Sequence, residues 1–202
     1  MPFDLEAVII SVGYIGLFII IYAETGLLIG FFLPGDSLLI TTGLLAERGH
    51  FDPWILIPLL IVAAILGDAT GYQIGARAGP RLFTRNDSRF FKRSHLERAE
   101  AFYEKHGGKT IFLARFLAFA RTFAPTVAGA ARMPYPKFAL YNITGGITWI
   151  VSMVGVGYIF GHAVPNLDAF FIVLIGGIIA ISLAPAAWHL WRERKRSDAH
   201  GN

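Results

Sequence analysis

The sequence predicts an all-α integral membrane protein, built as an inverted repeat of two Pro-broken re-entrant helical hairpins together with transmembrane helices. Three observations predict this fold. Hydrophobic residues make up 54% of the 202-residue chain, which leaves too little polar surface to cover a soluble particle. Several apolar runs approach the length of about 20 residues that a helix needs to cross the hydrocarbon. Two apolar stretches also carry ionisable residues and a proline at the same spacing.

Four apolar runs are predicted to cross the membrane, at 8–22, 54–76, 138–160 and 167–191. The N-terminal region has no basic segment and no small-residue cleavage site, so we expect the first run to remain in the mature protein. The chain contains no cysteine, which excludes disulfides, thiolate metal sites and a cysteine nucleophile.

The net charge of +4 is concentrated in two regions, with nine of the eighteen Lys and Arg residues between Arg77 and Lys109 and four more in the tail at 192–196. Cytoplasmic loops of membrane proteins carry such an excess, so we expect both regions, and hence the C-terminus, to be cytoplasmic. Attraction to anionic lipid headgroups explains these charges more simply than nucleic-acid binding does.

The topology of the second half follows from this orientation. If 138–160 and 167–191 are full crossings, the segment 109–137 must cross the membrane an even number of times. Its 29 residues are too few for two spans, which favours a re-entrant hairpin that enters and leaves on the cytoplasmic side. The sidedness of the N-terminus stays open.

An internal repeat supports two related halves. Glu24 stands ten residues before Pro34, and Arg115 stands ten residues before Pro125. Each broken element is followed by a full span that ends in a GYxxG sequence, at 71–75 and at 157–161. Two such halves that enter from opposite faces form an inverted repeat, the architecture in which transport sites lie at the midplane. We expect the glycines of both GYxxG sequences to let helices approach closely.

We expect a single membrane domain over 1–202, in which a capping box at 94–97 starts a short amphipathic helix on the cytoplasmic surface. Its parts are a first half at 8–76 with a re-entrant element at about 24–46, a basic connector at 77–106, a second half at 107–161 with a re-entrant element at about 109–133, a C-terminal transmembrane helix at 167–191 and a basic tail at 192–202.

The predicted helix breaks indicate a polar interior, because unpaired backbone at membrane depth is tolerated only where protein or a water-filled cavity satisfies it. The breaks are assigned to Pro34, Gly35, Pro125 and Gly129. Ionisable residues within membrane segments mark functional sites by default. Those in or next to the broken elements are Glu24, Asp36, Arg115 and Arg121.

The chemistry of these four residues suggests an anionic, phosphate-bearing substrate exchanged against protons. Arginine stays charged when buried and its planar fork suits phosphate oxygens, so Arg115 and Arg121 are the predicted phosphate-binding residues. Glu24 and Asp36 are the predicted proton carriers. The alternative is structural: Glu24–Arg121 or Asp36–Arg115 ion pairs would then only hold the hairpins together.

Four further residues are candidates for the cavity. Asp68 is either a proton relay or a polar residue that packs between helices. Tyr72, Asn142 and Trp149 either line the cavity or bridge helices. The six histidines lie near predicted loops and ends, so we expect no metal site. No nucleophile with a base and no cofactor motif is evident, so we expect a protein that is not an enzyme.

The runs ETG…FFLPGD, GDATGYQIG and FLARFLAFARTFAPTVAGAARM, followed by Tyr141, Asn142 and Trp149, resemble the bacterial DedA family, whose core is also called the SNARE-associated or VTT domain. The resemblance covers roughly 14–161. It implies paired re-entrant hairpins and a role in moving lipids across the bilayer, including undecaprenyl phosphate and phosphatidylethanolamine, with proton dependence. The essential acids of the family fall on Glu24 and Asp36, and its essential arginines on Arg115 and Arg121.

The resulting hypothesis is a flippase or scramblase of polyprenyl phosphate in the bacterial inner membrane. A phosphatidylethanolamine flippase and a proton-coupled exporter of small ions are the alternatives. The expected partners are membrane lipids, protons and anionic headgroups, and homodimer formation is left open.

Overall fold

The computed structural model describes residues 5–27, 35–82 and 108–161. All of them belong to the first of two units into which the chain divides, Met1–Gly161. The described residues form helices and no strand, which confirms the all-α prediction for this part of the chain. The helices are α1 (Leu5–Gly26), α2 (Gly35–Glu47), α3 (Pro53–Leu82), α4 (Lys109–Ala114), α5 (Ala118–Ala130) and α6 (Tyr135–Phe160).

Three of these helices are long and apolar enough to cross a membrane, over Ala7–Gly26, Pro53–Gly79 and Tyr135–Phe160. They contain the predicted runs 8–22, 54–76 and 138–160, so those three spans are confirmed as candidate transmembrane helices. Helix α3 continues to Leu82, and its last six residues therefore enter the predicted connector. Pro34, the amphipathic helix after 94, the span at 167–191 and the tail at 192–202 lie outside the described residues.

Helix α1 is kinked at Gly13, where the backbone has φ 57° and ψ −163°. This conformation is accessible to glycine at little cost and is strained for other residues. A Cβ at this position would have no atom of the described residues within 4 Å, so the backbone angles and not the packing require glycine here. The uniform apolar run at 8–22 contains no signal that predicts this kink.

Helices α2 and α5 have 13 residues each. At about 20 Å in length they are too short to cross a hydrocarbon core of about 30 Å. Eleven of the 13 residues of α2 are buried, so protein covers this helix on nearly all sides. Their burial within the protein makes short helices with polar ends possible in a membrane protein.

The interruption of the second short element lies at 115–117, between α4 and α5, where Leu117 adopts an extended backbone conformation. The expectation that Pro125 and Gly129 break this element is wrong, because both residues lie inside α5. Pro125 removes a single helical N–H donor, a loss that membrane helices tolerate when neighbouring groups satisfy the freed carbonyl. Gly129 lies directly against the backbone of Tyr72 and Ala76 in α3, so its role is close packing.

The two short helices pack against the long helix of the other half of the chain. Helix α5 packs on α3 and α2 packs on α6, while α1 also packs on α3. Glycines make both contacts close. A Cβ at Gly75 would collide with the Thr126 carbonyl of α5, and a Cβ at Gly157 would collide with the Ile40 carbonyl of α2. The expectation that these two glycines allow helices to approach is confirmed.

The other two GYxxG glycines differ from each other. A Cβ at Gly161 would lie 2.7 Å from Oε2 of Glu47, so this position is also tight. At Gly71 a Cβ would find ordinary van der Waals contacts at 3.5 Å. Gly71 is therefore less sterically constrained than Gly75.

Replacing Gly157 with Ala should destabilise the protein, because the new methyl group would push α6 away from the rigid backbone of α2. We expect a loss of about 1–3 kcal/mol, the usual range for overpacking, seen as a lower thermal midpoint in detergent. Gly155 is the matched control, since it lies in the same helix and a Cβ there would have none of the described atoms within 4 Å. Equal midpoints for Gly157→Ala and Gly155→Ala would contradict the close α2–α6 contact.

Candidate functional site

Four of the predicted charged site residues lie at or next to helix ends. Glu24 lies in the last turn of α1, Asp36 in the first turn of α2 and Arg121 in the first turn of α5. Arg115 directly follows α4 at the chain interruption. The breaks thus bring charged side chains from distant parts of the sequence to one region.

Arg121 bridges both predicted proton carriers. Its Nη1 donates to Oδ1 of Asp36 at 2.6 Å, and its Nη2 donates to Oε1 of Glu24 at 2.7 Å. Trp149 donates from Nε1 to the same Asp36 oxygen at 2.9 Å, and the Arg121 guanidinium lies 4.3 Å from the centre of the Trp149 ring. These four residues are called the Arg121 cluster below.

The Arg121 cluster is buried on one side and open at Asp36. The side chains of Arg121 and Glu24 are 4% and 1% exposed, whereas that of Asp36 is 38% exposed. Asp36 is therefore the point at which water or a ligand can reach the cluster. Once there, a ligand would meet a guanidinium whose two terminal nitrogens are already paired with carboxylates.

The first turn of α2 accommodates the acids. The Gly35 backbone N–H hydrogen bonds to the Glu24 carboxylate, and the positive end of a helix dipole stabilises anions in this position. A Cβ at Gly35 would collide with the Glu24 carboxyl group. Gly35 was predicted as a helix break and is the first residue of α2, where its lack of a side chain lets Glu24 approach.

Arg115 forms a separate buried group. Its Nη2 donates to Oδ2 of Asp68 and to Oδ1 of Asn142, and the side chains of Arg115 and Asp68 are each 2% exposed. Asn142 also donates from Nδ2 to the Ile65 carbonyl at 3.1 Å. Arg115, Asp68 and Asn142 are called the Arg115 cluster below, and they tie the chain interruption to both α3 and α6.

Two adjacent glycines of α6 make room for Arg115. A Cβ at Gly145 would lie 3.0 Å from Cδ of Arg115, and a Cβ at Gly146 would lie 3.3 Å from its Nη1. Neither glycine was predicted from the sequence to contribute to the site. The only available signal was a pair of consecutive glycines inside an apolar helix, which is uncommon without a packing reason.

Within the part of the chain that the structure describes, four buried side-chain atoms of the two clusters have no hydrogen-bond partner: Oε2 of Glu24, Oδ1 of Asp68, and Nε and Nη1 of Arg115. Leaving a buried charged atom unpaired is costly. Both acceptors and donors are present, so water molecules or a polar ligand group could satisfy them. The interior thus has unused capacity to bind polar groups.

Seven of the predicted site residues therefore fall into two clusters, and Tyr72 lies outside both. Glu24, Asp36, Arg121 and Trp149 form one cluster, while Arg115, Asp68 and Asn142 form the other. The Asp36–Arg115 pairing considered from the sequence is wrong, because Asp36 binds Arg121 and Asp68 binds Arg115.

Tyr72 joins neither cluster. Its hydroxyl donates to the Met133 carbonyl, and its ring stacks on Phe138 with centroids 4.6 Å apart and contacts Tyr135 edge-on. It bridges α3 and the start of α6. Within the described ranges, no three His, Cys, Asp or Glu side chains lie together as a metal site would require.

The fold and the two clusters define a helical membrane protein with paired charges in its interior. A model of the VTT domain matches residues 33–159. The chain belongs to the VTT-domain, or DedA, family of membrane proteins.

Relatives in several bacteria cover most of the chain. An uncharacterized membrane protein of Mycobacterium leprae is 48% identical over 182 residues, which is 89% of this chain and 81% of the relative. Protein DedA of Escherichia coli is 44% identical over 184 residues, 90% of this chain and 84% of its own. An uncharacterized membrane protein of Mycobacterium tuberculosis is 43% identical over 187 residues, which is 90% of this chain and 82% of the relative. No solved structure matches the chain.

Arg115→Met should strongly destabilise the protein, because Asp68 would remain buried without its cation. We expect a loss of about 3–5 kcal/mol, and recovery of most of it when Asp68→Leu is added, since a buried ion pair can be replaced by apolar residues at little cost. Unfolding in detergent of the two single variants and the double variant measures this coupling. If the double variant loses the sum of the two single-variant losses in free energy of unfolding, the two residues do not depend on each other.

Proposed function

We propose that the protein moves a phosphate-bearing lipid across the bacterial inner membrane in a proton-coupled manner, and that polyprenyl phosphate is its substrate. The observation that carries the proposal is the position of Arg121. Its buried guanidinium is paired with two carboxylates, and one of them, that of Asp36, is partly exposed. Family membership supports a role within the membrane.

Phosphate recognition is assigned to Arg121. A guanidinium binds phosphate oxygens through two parallel N–H donors, and the terminal nitrogens of Arg121 now donate to Glu24 and Asp36. A phosphate would take the place of these carboxylates as the partner of Arg121. The ring of Trp149 would keep the guanidinium in place while its partners change.

Proton coupling follows from the same exchange. When phosphate takes their place, Glu24 and Asp36 would be left as carboxylates beside a second anion at low dielectric, which is strongly unfavourable. Protonation removes that repulsion. Protons would enter through the exposed Asp36 and leave by the same route when phosphate departs.

We propose that α2 and α4–α5 are parts of re-entrant elements and that the two halves form an inverted repeat, with the C-terminus in the cytoplasm. The supporting observation is reciprocal packing: α2 lies on α6, and α5 lies on α3. In both cases a GYxxG glycine of the long helix contacts the short helix. This arrangement would bring the two polar breaks together.

Phosphatidylethanolamine is the second candidate substrate. Its phosphate would bind Arg121, and its amine could pair with the exposed carboxyl group of Asp36. The proposal includes no chemical conversion of the lipid, so phosphate release from either lipid by the purified protein would contradict it.

Liposomes containing the protein should move polyprenyl phosphate between leaflets faster than protein-free liposomes, with a rate that responds to a pH gradient. Arg121→Ala should reduce the rate at least tenfold, because it removes the phosphate-binding group; the loss of one charge-assisted interaction is worth about that factor or more. Phosphatidylethanolamine is assayed in parallel.

Arg77→Ala is the matched control for this assay, because Arg77 is an exposed arginine on the same protein and is outside both clusters. It should leave the rate unchanged. Absence of movement of either lipid under any gradient would contradict the proposed function and favour a small-ion exporter. Equal rates for the wild type and a folded Arg121→Ala variant would contradict the role of Arg121.

A further inference from the structure

The two clusters contain unequal numbers of acidic and basic groups. Glu24, Asp36 and Asp68 would carry three negative charges when ionised, whereas Arg115 and Arg121 carry two positive charges. Five ionised groups would thus leave one surplus negative charge in a region where four of the side chains are buried and Asp36 is partly exposed. Adding an anionic headgroup would double that surplus, so the number of protons on the acids must decide whether an anion can bind.

Asp68 determines how the positive charges are distributed. It is bonded to Arg115, which also donates to Asn142, and it interacts with Arg121 at longer range. The helices packed around α3 bring Glu24 from α1, Arg121 from α5 and Asn142 from α6 to this region. Glu24 is paired with Arg121, so the strong interaction of Asp68 is with Arg115.

We propose that Asp68 sets the proton requirement for anion binding, because it neutralises Arg115 and leaves Arg121 alone to receive the headgroup. This inference rests on the proposed function. It makes Asp68 a positioning residue that acts through Arg115, without contact to the substrate.

Two protons are required when Arg115 is neutralised. Each terminal nitrogen of Arg121 donates to a different carboxylate, so both Glu24 and Asp36 must release it for a two-point contact with phosphate. A released carboxylate must gain either a proton or another positive charge beside it, and Arg115 is already neutralised by Asp68. One proton from water therefore adds to an oxygen of each acid. The charge of Arg121 is then balanced by a monoanionic phosphate, and both protons return to water when that phosphate leaves.

Changing either member of the Arg115–Asp68 pair should alter this requirement in opposite directions. With Asp68→Asn, Arg115 has an unbalanced positive charge, so one acid can stay ionised beside the bound phosphate. With Arg115→Gln, Asp68 adds an unbalanced negative charge, and anion binding becomes harder at any given proton concentration. A role limited to holding α3 and α6 together would weaken activity in both variants and would not move their pH profiles apart.

The test measures the initial rate of polyprenyl phosphate movement in phosphatidylcholine liposomes, at equal pH on both sides, from mildly acidic to mildly alkaline pH. Polyprenyl phosphate must itself gain a proton to become a monoanion above its second pKa of about 6, and it does so equally in every variant. The test is therefore the difference between variants: on the alkaline side the wild-type rate should fall about tenfold more per pH unit than that of Asp68→Asn, because the wild type needs one proton more. The rate of the Asp68→Asn variant should begin to fall at a pH about one unit or more higher than that of the wild type. The rate of the Arg115→Gln variant should begin to fall at a lower pH than that of the wild type.

Two further variants complete the comparison. The double variant Arg115→Gln with Asp68→Asn restores the charge balance, so its transport rate should fall at the same pH as that of the wild type. Tyr22→Phe removes only the hydroxyl bonded to Thr70 between α1 and α3, so it should keep the wild-type profile. Because the single variants shift in opposite directions, either one that folds tests the inference.

The outcomes separate this inference from the proposed function. If the wild type moves polyprenyl phosphate and the single variants lower the rate equally at every pH, Asp68 does not set the proton requirement. If the wild type moves no polyprenyl phosphate at any pH, the proposed function itself is wrong.

Discussion

The bridge from Arg121 to Glu24 and Asp36 constrains more of this structure than any other interaction. A guanidinium cannot lose its charge and is too costly to bury without partners. Its two partners come from the end of α1 and the start of α2, and its ring contact comes from Trp149 in α6. The position of one side chain at the start of α5 therefore depends on three other helices being correctly placed.

Close backbone contacts make that placement possible. Gly75 and Gly129 bring α3 and α5 together, while Gly43 and Gly157 do the same for α2 and α6. A membrane provides no hydrophobic force that would drive helices together, so close approach and polar contacts must hold the bundle. The glycine contacts set the distances between helices, and the ion pairs select which helix ends meet.

The sequence predicted the long helices and most of the interior charges. Apolar length identified α1, α3 and α6, because the bilayer thickness imposes one requirement on any spanning helix. Charges at membrane depth identified Glu24, Asp36 and Arg121. These predictions succeeded because they depend on local composition and on the general cost of burying a charge.

Partner choice could not be predicted in the same way. Asp68 is 47 residues from Arg115 along the chain, and nothing in the spacing separates that pairing from Asp36–Arg115. Pro125 was misread as a break because proline usually ends a helix, whereas the chain is interrupted at 115–117, before α5 begins. The kink at Gly13 and the space provided by Gly145 depend on backbone geometry and tertiary contacts, which periodicity does not report.

The pairing of α2 with α6 also bears on how the chain is assembled during synthesis. Asp36 and Arg121 are 85 residues apart, and ribosomes add roughly 5–20 residues per second. For several seconds the newly made α2 therefore lacks both its counter-ion and the helix that covers it. A segment with buried threonines and an acid at its start is poorly suited to wait in lipid. We infer that α2 stays beside the insertion machinery or in the polar interface until α6 emerges, so the first half of the protein completes its folding only after the second half has been made.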